Sequence, residues 1–183
     1  MSDASRIIRL RNGYHVWTRR IEARPQPPER PTPPGTSPAW CPRVLLLHGG
    51  PGFSHEYLEN FEQHLPPAGV ELYFYDQLGS YFSDQPDDPS LWTVDRFAQE
   101  VEAVREALGL EDFFLVGQSW GGMLAMEYVL RYQSDGQEGP VRGLVISNMT
   151  ASIASYMKSV QRLRQQLPAE TLAILERYEQ AGA

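Results

Sequence analysis

Gly117-Gln118-Ser119-Trp120-Gly121 is the stretch of this chain whose residue types and spacing could do chemistry. It follows the apolar run FFLV at 113–116 and leads into an amphipathic stretch, so the serine stands at a strand-to-helix turn. A sharp turn there strains the serine backbone, and the flanking glycines let strand and helix approach without clashing. Ser119 Oγ would be pushed clear of the sheet, above a helix N-terminus whose unpaired N–H groups stabilise negative charge. Nucleophilic attack on an acyl carbon is the chemistry such a hydroxyl performs. As a bare pattern G-x-S-x-G is weak, since a serine in an ordinary glycine-rich turn shares it, and it is the strand-turn-helix context that favours a nucleophile. A dinucleotide or phosphate loop fits less well, because neither G-x-G-x-x-G nor Gly-Lys-Ser/Thr occurs.

The run His48-Gly49-Gly50-Pro51-Gly52, directly after the apolar VLLL, supplies a second half-site. Acyl transfer needs two donors aimed at the developing oxyanion, one from the residue after the nucleophile and one from a loop after an earlier strand. The backbone N–H groups of Gly50 and Trp120 are the candidates for that hole. Gly49, Pro51 and Phe53 are placed at the substrate, with Phe53 and Trp120 either walling the pocket or packing into the core. His48 invites assignment as general base, but it sits on the wrong loop, and an imidazole bracing the oxyanion loop is the better reading.

The elements that must position these residues follow from the periodicity. VLLL (44–47), VELYFY (70–75), FFLV (113–116) and LVIS (144–147) read as buried strands; 55–65, 94–108 and 120–132 read as helices between them. The helix at 94–108 puts Phe97, Val101, Val104 and Leu108 on one face, with Thr93 as N-cap and Gly109 as C-cap. Such alternation is an α/β fold with a mostly parallel sheet and helices on both faces. Ahead of it, residues 6–21 alternate around Asn12-Gly13, a pair that favours the positive φ angles of a tight hairpin turn. Between Arg24 and Pro42 lie eight of the fifteen prolines, which predicts an extended connector; a Pro-rich ligand for a partner domain is the sharper alternative. Two more helical stretches follow Asn148, meeting at Pro168, with no further strand.

Composition narrows the classes of function. A 42% hydrophobic, 21% charged chain of 183 residues has the makings of one globular domain rather than a disordered segment. Its net charge of -7 disfavours nucleic acid and anionic membranes as partners and leaves a small molecule or peptide. With Cys41 as its one cysteine the chain can form neither an internal disulfide nor a cysteine metal cluster, which fits a reducing cytoplasm. Neither a signal-peptide run nor a bilayer-length apolar stretch occurs, so a cytoplasmic location without membrane anchoring is the expectation.

HGGPG, YDQLGSYFSDQP and GQSWGG, in this order and spacing, resemble the proline iminopeptidase (prolyl aminopeptidase) family of α/β-hydrolases, from about Val44 onward. The resemblance implies the α/β-hydrolase fold with a helical cap, here an incomplete core over 1–150 and the start of the cap over 151–183. It also implies a Ser-Asp-His triad acting on short peptides with N-terminal proline or a related residue, and neither metal nor cofactor. Cap glutamates meet the substrate's amino terminus in that family; Glu170, Glu176 and Glu179 lie in the corresponding segment, but a solvated helix face explains them more cheaply, and none of them is assigned that role. One departure is Tyr81, which stands where the family motif D-Q-x-G-x-G-x-S has its second glycine. Asp76, the first residue of that motif, is better read as holding the loop through backbone N–H bonds than as the triad acid.

A larger departure concerns the base. In this fold the acid and histidine follow the serine, yet His15, His48, His55 and His64 all precede Ser119. The chain then reads as an N-terminal fragment or a catalytically dead relative, and is expected to be inactive alone, with a rate lower by about 10⁴- to 10⁶-fold. An amino-acid amidase or small-ester esterase shares every residue named, and a non-catalytic binding protein of the same fold remains a reading from another class. Haloalkane dehalogenases and epoxide hydrolases carry aspartate at the nucleophile position and are excluded by Ser119.

Overall fold

The structure, a computed structural model, describes residues 4–24, 41–133 and 139–182; the Pro-rich connector therefore lies almost wholly outside the described residues. Two compact units emerge, residues 1–149 and residues 150–183.

In the first unit β1 (Ala4–Arg9) and β2 (His15–Ile21) pair antiparallel, with Ile7 opposite Trp17. The hairpin expected around Asn12-Gly13 forms, and its turn is a three-residue loop in which Asn12 does not take the positive φ expected of the pair. Leu10 N–H donates to Tyr14 O at 2.7 Å and Gly13 N–H to Leu10 O at 3.0 Å, and of the pair only Gly13 adopts a positive φ, 92°. Asn12 Oδ1 accepts from the Tyr14 N–H at 3.3 Å, a local side-chain-to-backbone bond.

The four apolar runs become β3 (Arg43–Leu47), β4 (Glu71–Tyr75), β5 (Phe113–Gln118) and β6 (Val141–Ser147). The sheet runs β1-β2-β4-β3-β5-β6; β2 joins β4 antiparallel, and the last four strands are mutually parallel. Register places Leu46 opposite Val116 and Leu47 opposite Gly117. The loops leaving β3 and β5 therefore emerge side by side at the carboxyl edge, where ligands bind in open parallel sheets.

Alternation splits the strands between two faces. Leu45, Leu47, Phe113 and Leu115 pack with α1 (Val94–Leu108) and α2 (Trp120–Tyr132), through Phe97, Val101, Val104, Leu124 and Tyr128. Val44, Leu46, Leu72 and Phe74 form the opposite cluster with Ile21 and Leu58. The α1 caps follow the local sequence: Thr93 Oγ1 accepts from Arg96 N–H at 3.3 Å, and Gly109 closes the helix with φ 65°. The helix expected at 55–65 is instead a 3-10 helix over Glu56–Gln63. With His55 N–H anchored to Asp76 Oδ1 at 2.9 Å and the donor-less Pro66 and Pro67 just beyond, little length is left for an α-helix to propagate.

In the second unit α3 (Ile153–Arg164) is capped by Ser152, whose Oγ accepts from Ser155 N–H at 3.2 Å. Pro168 opens α4 (Ala169–Gln180), and Arg164 donates to both Glu179 carboxylate oxygens at 2.5 and 3.0 Å. Neither helix contains a buried residue. No helix among the described residues is long and apolar enough to cross a membrane.

Candidate active site

Strand β5 runs into Ser119, whose φ of 54° and ψ of -120° place it outside the regions an L-residue adopts without strain. The bend is held from both sides. Ser119 N–H donates to Ser147 O at the end of β6 (2.8 Å), and Ser119 O accepts from Gly122 N–H (3.0 Å) and Met123 N–H (3.3 Å). Glycine is obligatory around it: a Cβ on Gly117 would lie 2.3 Å from Gly121 O, and one on Gly121 would lie 2.1 Å from Leu47 O. Ser119 itself remains partly exposed.

The loop at 48–52 turns toward this serine. A Cβ on Gly49 would lie 2.6 Å from Gln118 Oε1, 3.2 Å from Gln118 O and 3.3 Å from Ser119 Cβ, so the absence of a side chain there eases the close approach. Gly50 is exposed with φ 119°, and no group among the described residues takes its N–H. Trp120 is the first residue of α2, so its N–H has no acceptor within the helix. The structure thus brings together Ser119, Gly49, Gly50 and Trp120. Pro51 is exposed beside them, joined to Gly50 by a cis bond.

Phe53 is 64% exposed and meets Tyr57 edge-on at 6.3 Å, so it is not a core residue. Trp120 packs edge-on against Phe97 at 5.3 Å. Two cavities flank the loop. One of about 390 Å³ lies among Pro51, Leu78, Trp92, Val94, Phe97 and Trp120. The other, about 440 Å³, lies among Gly52, Phe53, Ser54, Glu56, Tyr57 and Tyr81.

His48 is fully buried, and its bonds define its state. Gln77 N–H donates to Nε2 at 2.9 Å, leaving Nδ1–H to donate to Gly49 O at 2.9 Å. Burial lowers the imidazole pKa and so favours the neutral ring, against the opposing pull of the Gly49 carbonyl, which favours the charged form. Both ring nitrogens are engaged within the loop, as a brace requires.

Asp76 is also fully buried; Oδ1 accepts from His55 N–H at 2.9 Å, Oδ2 from Phe82 N–H at 3.4 Å. It pairs with His55 Nδ1 at 2.9 Å, but His55 Nε2 faces Glu59 at 3.6 Å and the ring stacks on Trp17 at 4.2 Å. This acid-histidine pair therefore serves the loop and not Ser119. Tyr81 carries a φ of 37°, the left-handed region that a glycine occupies freely and an aromatic residue occupies under strain. Its ring lies 4.0 Å from that of Phe82.

Two residues at the site escaped the sequence reading. Tyr57 accepts from Gly49 N–H (2.7 Å) and donates to Gln118 Oε1 (2.8 Å). Gln77 donates to His48 O and accepts from Trp120 Nε1, each at 2.9 Å. Gln77 was visible as part of DQLGS, whereas nothing in the sequence around Tyr57 marks it.

A strained serine at a strand-helix bend, a glycine loop brought close to it and a mostly parallel sheet define a class, and the chain belongs to the alpha/beta hydrolase fold family, whose profile matches residues 42–176. Within that class it is similar to proline iminopeptidases. The one from Elizabethkingia meningoseptica is 46% identical over 162 residues, covering 87% of this chain and 48% of the relative. That of Flavobacterium johnsoniae is 49% identical over 152 residues, covering 77% and 50%. The crystal structure of proline iminopeptidase from Mycobacterium smegmatis superposes with a TM-score of 0.75 at 34% identity, covering 98% of this chain and 55% of that one. The chain spans about half the length of the curated relatives it matches.

Proposed function

We propose that the whole protein carrying this chain is a serine hydrolase that removes N-terminal proline or a related residue from short peptides through an acyl-enzyme on Ser119. The observation that supports this reading is the approach of the loop to the serine, 3.3 Å from a Cβ built on Gly49 to the Ser119 Cβ; the N–H groups of Gly50 and Trp120, on the residues next to these two, would serve the oxyanion. Ser119 Oγ attacks the carbonyl carbon of the N-terminal residue while a base takes its proton. Negative charge then moves onto the carbonyl oxygen, where the two N–H groups receive it; removing one such donor typically costs about 3 to 4 kcal/mol of barrier. The tetrahedral species expels the amine, which leaves with the proton, and water attacks the acyl-enzyme to free the amino acid and Ser119. Gly49, Pro51 and Phe53 would line the approach of the substrate.

Histidine is needed as the base, and none follows His64 in this sequence. His48 and His55 are committed to loop contacts, so the base and its acid partner would come from residues outside this sequence. This chain alone is expected not to turn over. Residues 151–183 would then be the beginning of a helical cap.

A fluorophosphonate probe on the whole protein tests the nucleophile: the wild type should be labelled, and Ser119→Ala should lose labelling completely. Equal labelling of both would remove Ser119 from the mechanism. Proline and alanine anilides assayed against short acyl esters test the substrate, and hydrolysis of esters alone would replace the peptidase reading with an esterase.

A further inference from the structure

Two consecutive peptide units of the loop after β3 are held at three of their four polar ends. In the His48–Gly49 unit, the carbonyl accepts from Gln77 Nε2 at 2.9 Å and the N–H donates to Tyr57 Oη at 2.7 Å. In the Gly49–Gly50 unit, the carbonyl accepts from His48 Nδ1 at 2.9 Å. The one end left open is the Gly50 N–H. A trans peptide is planar with its N–H opposed to its C=O, so fixing Gly49 O aims Gly50 N–H the other way.

The two side chains that hold the first unit also reach the elbow, one on each side of the serine. Tyr57 Oη donates to Gln118 Oε1 at 2.8 Å, and Gln77 Oε1 accepts from Trp120 Nε1 at 2.9 Å. Gln118 precedes Ser119 and Trp120 follows it. Gln77 is only 1% exposed, and both ends of its amide are used in this bridge. Glycine-rich backbone has wide conformational freedom, whereas an oxyanion donor must be held at about 2.7 to 3.1 Å from the position the oxyanion will occupy.

We propose that Gln77 and Tyr57 are positioning residues, a two-point clamp that fixes the Gly50 N–H relative to Ser119 by tying the loop to the residues on either side of the nucleophile. This rests on the reading of Ser119 as nucleophile and Gly50 as oxyanion donor. Neither side chain touches the reacting atoms; each acts through the peptide it holds. The loop carrying Gln77 thus contributes to rate and does more than shape the pocket.

The test uses the whole protein and the variants Gln77→Met, which keeps length and burial, and Tyr57→Phe, which removes only the hydroxyl of a side chain already 42% exposed. Each is expected to lower kcat about 10- to 100-fold, as a donor displaced by a fraction of an ångström would, with KM changed by no more than about twofold. The double variant should lose less than the product of the two, because releasing either point frees the same pair of peptides. Wild-type kcat in both single variants, or a raised KM at constant kcat, overturns the clamp. The Gly50 amide ¹⁵N–¹H resonance, read without substrate, should move in both variants, and an unmoved resonance overturns the clamp independently of turnover. Absence of Ser119 labelling in the wild type would sink the hydrolase reading while the Gly50 resonance still decides the clamp.

Discussion

Strands β3 and β5 and helices α3 and α4 carry apolar residues at equally regular spacing, yet they end in opposite environments. Leu45, Leu47, Phe113 and Leu115 are completely buried, whereas Ile153, Leu163, Ile174 and Tyr178 are each about half exposed or more. Both spacings produced the elements expected of them. Periodicity selects which residues share a face; whether that face leaves water depends on a partner surface that period does not specify. In residues 1–149 such surfaces meet on both sides of the sheet, and the bend that carries Ser119 is closely packed at Gly117 and Gly121. In residues 150–182 the Ser152 cap supports α3, and the Arg164–Glu179 pair joins α3 to α4.

The sharpest way to break this contrast is Gly121→Ala. Its methyl would stand 2.1 Å from Leu47 O and 2.8 Å from His48 O, both backbone atoms that cannot swing aside. A loss of about 3 kcal/mol or more is expected in denaturant unfolding, since overpacking against fixed backbone lies at the costly end of such changes. An unchanged midpoint would show that the elbow is not tightly packed.

Glu100 probes the same packed region through pH. It is buried on α1, where Oε1 accepts from Leu78 N–H at 3.1 Å and Oε2 pairs with Arg96. Burial pushes its carboxyl up to about 7 from the ordinary 4.5, with Arg96 and the Leu78 N–H pulling it back. A raised value means that the folded state holds the proton more tightly than the unfolded one. The stability this group contributes is therefore complete below pH 4.5 and lost as pH rises through about 7. Glu100→Gln should flatten the fall in melting temperature across that window, and an unaltered slope would contradict the assignment.

The smallest effect is expected at the open end of the comparison. Leu163→Ala removes a side chain that is 56% exposed and should change the stability of this chain by less than about 0.5 kcal/mol in the same unfolding measurement. A loss of core size there would mean that α3 has a covered face in solution.

Much of the site-bearing fold was legible in the sequence because its determinants are local. Thr93 and Gly109 bound α1 through bonds that span a few residues, and the glycines around Ser119 are demanded by sterics within a single turn. The hairpin was legible as an element, but the positive φ expected of both Asn12 and Gly13 is taken by Gly13 alone, while Asn12 Oδ1 accepts from Tyr14 N–H. The 55–65 segment was legible as helical but not as 3-10, since its winding depends on an anchor at Asp76, 21 residues further on.

By itself, then, the sequence determined the strand order of events along the chain, the strained serine and the glycine loop that could serve it. These rest on backbone sterics and side-chain period, which act between near neighbours. Only the tertiary structure decided the protonation pattern of His48, the diversion of Asp76 and His55 away from Ser119, and the joining of Tyr57 to Gln118 and of Gln77 to Trp120. Those contacts link residues 29, 21, 61 and 43 positions apart, and no local preference specifies which distant partner a polar side chain will meet once the sheet has assembled.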